Sequence, residues 1–143
     1  MKLFFDENCG KSFPEAMRQV CPSRGISVDY VGRTQKARKR AQRLGATDEE
    51  WITHVGRSGS LGISCDKKML ENAEERAVIL REKAGIVIIT TGSEDSVKLL
   101  LLLLKELDWL QKIDSEVARP FVFTLNLSRR KKRVLGEGVD PKG

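Results

Sequence analysis

Histidine and cysteine are scarce in this chain of 143 residues. His54 is the single histidine, so mechanisms that need a pair of histidines are excluded. The three cysteines, Cys9, Cys21 and Cys65, are too few and too widely spaced for a disulfide framework or a zinc cluster. We therefore expect three reduced thiols, as in a cytoplasmic protein.

Long hydrophobic runs are also lacking. The leucine run Leu99–Leu104 is six residues long and is bounded by Lys98 and Lys105, whereas about 20 apolar residues are needed to cross a bilayer. The opening segment, MKLFFDEN, reaches an acid at its sixth residue and has no apolar stretch of the kind found in signal peptides. These patterns predict a cytoplasmic protein without a membrane segment.

Positive charge is in excess, with 26 Lys and Arg against 20 Asp and Glu. A basic balance favours a polyanionic partner such as RNA, although a merely basic surface gives the same count. One concentration of charge lies in residues 33–43, which are either a solvated helix face or a phosphate-binding segment. Its candidate RNA-binding residues are Arg33, Lys36, Arg38, Lys39, Arg40 and Arg43.

A second basic segment, Arg129–Arg133, lies near the end of the chain. We assign it to a disordered basic tail over residues 128–143, which follows a single folded domain over residues 1–127. Such a tail could grip RNA or an acidic partner, or could serve only solubility.

Short apolar segments alternate with helical patterns along the rest of the chain. This alternation predicts an α/β fold: a three-layer, doubly wound, mostly parallel sheet of about five strands with helices on both faces. The predicted strands are 2–5, 26–31, 61–65, 86–89 and 120–125. A long helix that begins at Ser93 and contains the leucine run is predicted between the last two.

Acidic residues follow the first and third predicted strands. Asp6 comes after the first strand and Asp66 after the third, and Asp48 begins a helix between them. Because the carboxyl ends of parallel strands lie at one edge of a sheet, we expect these carboxylates to converge there. Hard oxygen ligands suit Mg²⁺ or Mn²⁺, which can promote phosphodiester cleavage. Each acid also has an ordinary alternative as a strand-end turn, a helix cap or a partner of the helix dipole.

The segments MKLFFDEN, GATDEEWI and GISCD resemble the PIN-like domains of the toxin class related to VapC ribonucleases. The similarity extends over residues 1 to 125 and depends on the order and spacing of three short motifs. It implies that Asp6, Asp48 and Asp66 are catalytic metal ligands, with Glu7 as a candidate fourth. It also implies Mg²⁺ or Mn²⁺ as cofactor, RNA as substrate and a protein antitoxin as partner.

One position departs from that pattern. Relatives often carry two acids after the third strand, whereas here Asp66 is followed by Lys67 and Lys68. Lys68 could contact an RNA phosphate instead, or the site could bind a single metal ion. Glu94 or Asp95 could substitute for the missing acid, although acids in the first turn of a helix are the more ordinary interpretation of both. The departure keeps open a catalytically weak nucleic-acid-binding or scaffold module.

Two further possibilities follow from the fold and the leucine run. A receiver-like signalling domain would also gather acids at strand ends, but it would need a lysine after the fifth strand, where TLNLS stands. The run Leu99–Leu104 is apolar all round the helix, which predicts surplus leucines covered by a homodimer contact or an antitoxin helix.

Overall fold

The computed structural model describes residues 1–32, 48–91 and 95–136. The strands are β1 (Lys2–Phe5), β2 (Ser27–Tyr30), β3 (Leu61–Ser64), β4 (Gly85–Ile89), β5 (Phe121–Leu125) and β6 (Lys131–Leu135). The α-helices are α1 (Ser12–Val20), α2 (Asp48–Ser58), α3 (Ala73–Glu82), α4 (Ser96–Lys105) and α5 (Leu107–Glu116). Short 3₁₀ turns occupy Glu7–Cys9, Cys21–Arg24 and Met69–Glu71.

The strands form one sheet in the order β2-β1-β3-β4-β5-β6. The first five are parallel, and β6 pairs antiparallel with β5. One apolar core lies between the sheet and α1, α4 and α5, and a second lies between the sheet and α2 and α3. The predicted doubly wound, mostly parallel α/β fold is therefore confirmed, with six strands instead of about five.

The sixth strand lies in the segment that was predicted to be a disordered tail, and that prediction is wrong for residues 128–136. Alternate side chains of β6 find partners on the body of the domain. Lys131 Nζ lies 5.2 Å from the centre of the Trp109 ring, and the Arg133 guanidinium lies 5.2 Å from that of Phe123. Long aliphatic stems thus pack as hydrophobic residues would, although their charged ends make the strand resemble a solvated tail.

The predicted long helix after β4 is two helices, α4 and α5, which are separated at Glu106. Asp95 caps α4, because its carboxylate accepts hydrogen bonds from the N–H groups of Val97 and Lys98. Asp95 therefore acts as a cap and not as a replacement acid in the site. Ser93 and Glu94 lie outside the described residues.

The leucine run is buried on one side only. Leu99, Leu102 and Leu103 belong to the first core, whereas Leu101 is 51% exposed and Val97 is 64% exposed. A partner over this surface stays a prediction. None of the helices in the described ranges is long and apolar enough to cross a membrane.

Candidate metal centre

The order of the strands creates a crevice between the carboxyl ends of β1 and β3. The chain moves from β1 outward to β2 and then returns to β3 on the other side, so the direction of winding changes between these two neighbours. In open α/β sheets, ligands bind at such a switch point. Asp6 follows β1 directly, and Asp66 lies two residues beyond β3.

Three half-buried carboxylates meet at this crevice. Asp48, Asp66 and Glu75 each offer one oxygen atom, and these three atoms lie within 4.8 Å of one another. The residues come from three elements: the first turn of α2, the loop after β3 and the first turn of α3. We call these three residues the acid cluster.

Local packing places Asp48. Helix α2 lies close to β3 because β3 carries a glycine, and a Cβ at Gly62 would stand 2.8 Å from the Trp51 ring. Trp51 and Ile52 are buried in the second core one turn after Asp48. The close approach of α2 to β3 brings its first residue to the crevice.

Backbone hydrogen bonds fix the other two acids. The N–H of Asp66 donates to the Ser64 hydroxyl at 3.0 Å, and the N–H of Lys68 donates to Asp66 Oδ1 at 2.9 Å. Asn72 caps α3, since its side-chain oxygen accepts from the N–H groups of Glu74 and Glu75 at 2.9 and 3.1 Å. This cap sets the first turn of α3 and with it the start of the Glu75 side chain.

Asp6 lies beneath the surface beside the acid cluster and is only 1% exposed. Its Oδ2 accepts a short hydrogen bond from the Ser64 hydroxyl and a 3.5 Å bond from the Asn8 amide. Ser64 therefore joins the Asp6 carboxylate to the Asp66 backbone. Within the described residues, the buried Oδ1 atom of Asp6 accepts no hydrogen bond.

The raised pKa values of Asp48, Glu75 and Asp6 show that their ionised forms are unfavourable when the acids lie close together. Burial raises the pKa of Asp48 to about 8, and hydrogen bonding to Asp66 and the charge of Glu75 add to this effect. Burial also raises the pKa of Glu75 and of Asp6, and the charge of Asp66 contributes to both. Without a cation, a proton on Asp48 that is shared with its neighbours stabilises the cluster.

The donor set fits a hard divalent cation. Every group in the acid cluster is a carboxylate, and Mg²⁺, Mn²⁺ and Ca²⁺ prefer oxygen ligands. Two ligands of one ion lie at most about 4–5 Å apart for metal–oxygen bonds of 2.0–2.6 Å, and the separation within the cluster meets this condition. A cation at the cluster would replace the proton on Asp48 and offset the mutual repulsion of the acids.

The structure brings together two of the three acids expected as ligands, Asp48 and Asp66, and places Asp6 beside them in a buried position. Glu7 and Lys68 are exposed, and neither belongs to the acid cluster. The expected RNA-binding residues at positions 33–43 lie outside the described residues.

Glu75 was not predicted from the sequence. The predicted acids directly follow a strand or begin a helix, whereas Glu75 is the third residue of a helix that begins several positions after β3. The available signal was the cap, since an asparagine followed by two glutamates fixes the start of a helix. That start follows a strand end, so its first turn faces the same edge of the sheet.

Comparison with known families agrees with this geometry. A family model described as a PIN like domain matches residues 1–91, which include β1 to β4 and all four acids. No curated protein and no solved structure matches the chain. The match extends over more than half of the sequence, and the chain belongs to the PIN-like domain family.

Proposed function

We propose that this protein is a metal-dependent endoribonuclease that hydrolyses RNA phosphodiester bonds at the acid cluster. The observation that carries the proposal is the convergence of three half-buried carboxylates at the switch point of a PIN-like sheet. A raised pKa at such a cluster is the expected cost of a site arranged for a cation rather than for stability.

The residues divide into holding and positioning roles. Asp48, Asp66 and Glu75 would hold Mg²⁺ or Mn²⁺. When bound, such an ion would polarise the phosphate group and lower the pKa of a coordinated water. Asp6 fixes the loop after β3 through Ser64 and contributes a further negative charge.

Glu75 bears on the departure from the family pattern at position 68. The sequence has a lysine where relatives often have a second acid, which favoured a catalytically weak binding module. Glu75 supplies a third carboxylate to the cluster from α3, so the donor set does not depend on an acid at position 68. The exposed side chain of Lys68 is then available for an RNA phosphate.

A toxin role is the second part of the proposal and rests on the resemblance of the three motifs to VapC-type toxins. An antitoxin would silence the enzyme by covering the acid cluster or by docking on the exposed side of α4, where Val97 and Leu101 lie. Expression of the chain alone should then arrest growth, and an Asp48→Asn variant should relieve the arrest.

The competing assignments differ in one assay. A scaffold module would bind RNA without cutting it, and a receiver-like domain would accept a phosphoryl group on an aspartate. The receiver shares the strand order of β2-β1-β3-β4-β5, but Asn126 follows β5 where that domain would need a lysine. The family match favours the PIN-like assignment over a receiver.

The test is cleavage of a mixed RNA pool by purified protein with Mg²⁺, with Mn²⁺ and with EDTA. We expect cleavage only with a divalent ion, and we expect its loss in Asp48→Asn. Glu74→Gln is the matched control, because Glu74 lies beside Glu75 on α3 and is exposed. RNA that is bound but stays intact under all three conditions would contradict the proposal and favour the scaffold module.

A further inference from the structure

The turn of the β5–β6 hairpin lies at the same edge of the sheet as the acid cluster. Strand β5 is parallel to β4 and, through it, to β3 and β1, so all four end at one edge. The turn after β5 is closed by hydrogen bonds. The N–H of Asn126 donates to the carbonyl oxygen of Arg130 at 3.1 Å, and the N–H of Arg130 donates to the Asn126 side chain at 2.9 Å.

Two of the basic residues of the hairpin anchor it to the domain. Arg129 and Lys131 both pair with Glu106, which is 1% exposed and lies between α4 and α5. Lys131 also lies over the Trp109 ring. These two cations are engaged in holding the hairpin in place.

Arg130 and Lys132 differ from them. Both are exposed, and within residues 1–32, 48–91 and 95–136 neither side chain has a hydrogen bond or an ion pair. Lys131 and Arg133 face the core of α1, α4 and α5, because they contact Trp109 and Phe123. Since side chains alternate along a strand, Lys132 emerges on the opposite face, where α2 and α3 carry the acid cluster.

Three arginines at the opposite edge of the sheet are paired with acids. Arg57 and Arg81 pair with Glu82 there, and Arg119 pairs with Asp114. Exposed cations also lie at the edge of the acid cluster. There the exposed Lys67 and Lys68 adjoin the acids, and Arg130 and Lys132 lie farther along.

The separation corresponds to a short stretch of nucleic acid. Three steps of about 4.8 Å lead from β3 to β6, or about 14 Å in all. A stacked strand advances about 3.4 Å per nucleotide, so about four nucleotides span this distance.

We propose that the β5–β6 hairpin is a phosphate-binding arm for single-stranded RNA, with Arg130 and Lys132 holding the backbone about four nucleotides from the bond at the acid cluster. The inference deepens the proposed function and rests on it. Contacts of this kind would add affinity without sequence preference, because they are made to phosphates and not to bases. They would also distinguish long substrates from short ones.

The experiment measures binding separately from cleavage. Fluorescently labelled 12-mer and 3-mer oligouridylate are titrated at several salt concentrations with the Asp48→Asn protein, which cannot cut. Two variants are made in this Asp48→Asn background. One carries Arg130→Gln together with Lys132→Gln, and the control carries Arg24→Gln. Arg24 is an exposed cation that precedes β2 and therefore lies at the other edge.

For the 12-mer, we expect the double substitution to weaken binding about three- to tenfold. It should also reduce the salt slope, the slope of the logarithm of the binding constant against the logarithm of the salt concentration, by about 1.4, or about 0.7 per lost phosphate contact. Binding of the 3-mer and the Arg24→Gln protein should be unchanged. An unchanged slope for the 12-mer, or an equal loss with Arg24→Gln, would overturn the inference and leave an acidic protein as the partner to test. If wild-type protein cuts no RNA but the slope still falls, the nuclease proposal fails while the arm stands.

Discussion

Replacing Glu75 by glutamine removes one negative charge from the acid cluster and leaves the size of the side chain unchanged. In the metal-free protein, burial and the charges of neighbouring acids raise the pKa of Glu75. The folded state therefore gains from the loss of this charge at high pH. We expect Glu75→Gln to be more stable than the wild type by ~1 kcal/mol in EDTA at pH 8, a modest value because solvent screens a half-buried group.

A divalent ion should reverse this order. An ion at 100 times its dissociation constant stabilises the folded wild type by ~2.7 kcal/mol. For a domain of this size, 1 kcal/mol shifts the melting temperature by about 3–5 °C, so the shift should be about 10 °C. Loss of one ligand should weaken the affinity for the ion at least about 10- to 100-fold. This loss removes roughly half or more of the stabilisation by the ion.

The assay is thermal unfolding in EDTA and in Mn²⁺ at pH 8, with Glu74→Gln as the control on the same helix turn. The control should melt like the wild type in both buffers, because the exposed Glu74 is outside the cluster. Equal metal-dependent shifts in the wild type and Glu75→Gln would refute the assignment of Glu75 as a ligand. A destabilised Glu75→Gln protein in EDTA would contradict the argument that burial and neighbouring charges make the ionised Glu75 unfavourable.

Three further results are expected from single changes. The pKa of Asp48 is raised from 3.8 to about 8, so the folded protein keeps a proton that the unfolded chain loses near pH 4. The stability of the metal-free protein should therefore fall as the pH rises from about 4 to about 8. Melting temperatures measured in EDTA across that range check this, and a flat profile would contradict it. Ser64→Ala removes the hydroxyl that donates to the buried Asp6 and should lower the free energy of unfolding in urea by ~1–3 kcal/mol. A loss below about 0.5 kcal/mol, the size of an ordinary surface change, would show that the bond is unimportant. Glu106→Gln leaves two hairpin cations without their buried counter-charge and should cost ~2–4 kcal/mol, whereas the exposed Asp108→Asn should change stability by less than about 0.5 kcal/mol.

Much of the sheet and part of the site could be predicted from the sequence, because both depend on short-range patterns. A run such as GIVII is buried over its whole length, as expected for a central parallel strand. Parallel strands end at one edge, so acids that follow them are drawn together without any knowledge of side-chain packing. The position of Asp66 could be predicted in this way.

The position of Glu75 could not be predicted in the same way, because it depends on how α3 packs over the sheet. Its sequence neighbourhood, AEERAV, looks like the solvated start of any helix. Strand β6 was hidden for a related reason, since KKRVL shows few apolar residues and packs through the stems of Lys131 and Arg133. In both cases a charged residue has a role that only tertiary contacts reveal.

The helix break at Glu106 also depends on tertiary contacts. Burial would raise the pKa of this acid, but hydrogen bonds from Lys131 and Arg129 outweigh burial and lower the pKa. Those two cations lie more than 20 residues farther along the chain, beyond the reach of a local pattern. The apolar periodicity around Leu99–Leu104 continues through the break and therefore predicted a single helix.

The most direct test of the central claim is the position of a bound divalent ion. Crystals of the protein grown with Mn²⁺ should show an anomalous difference peak in contact with carboxylate oxygens of Asp48, Asp66 and Glu75, and crystals of Glu75→Gln should show a weaker peak or none. A peak bound elsewhere on the domain, or an acid cluster without a peak at saturating Mn²⁺, would contradict the account.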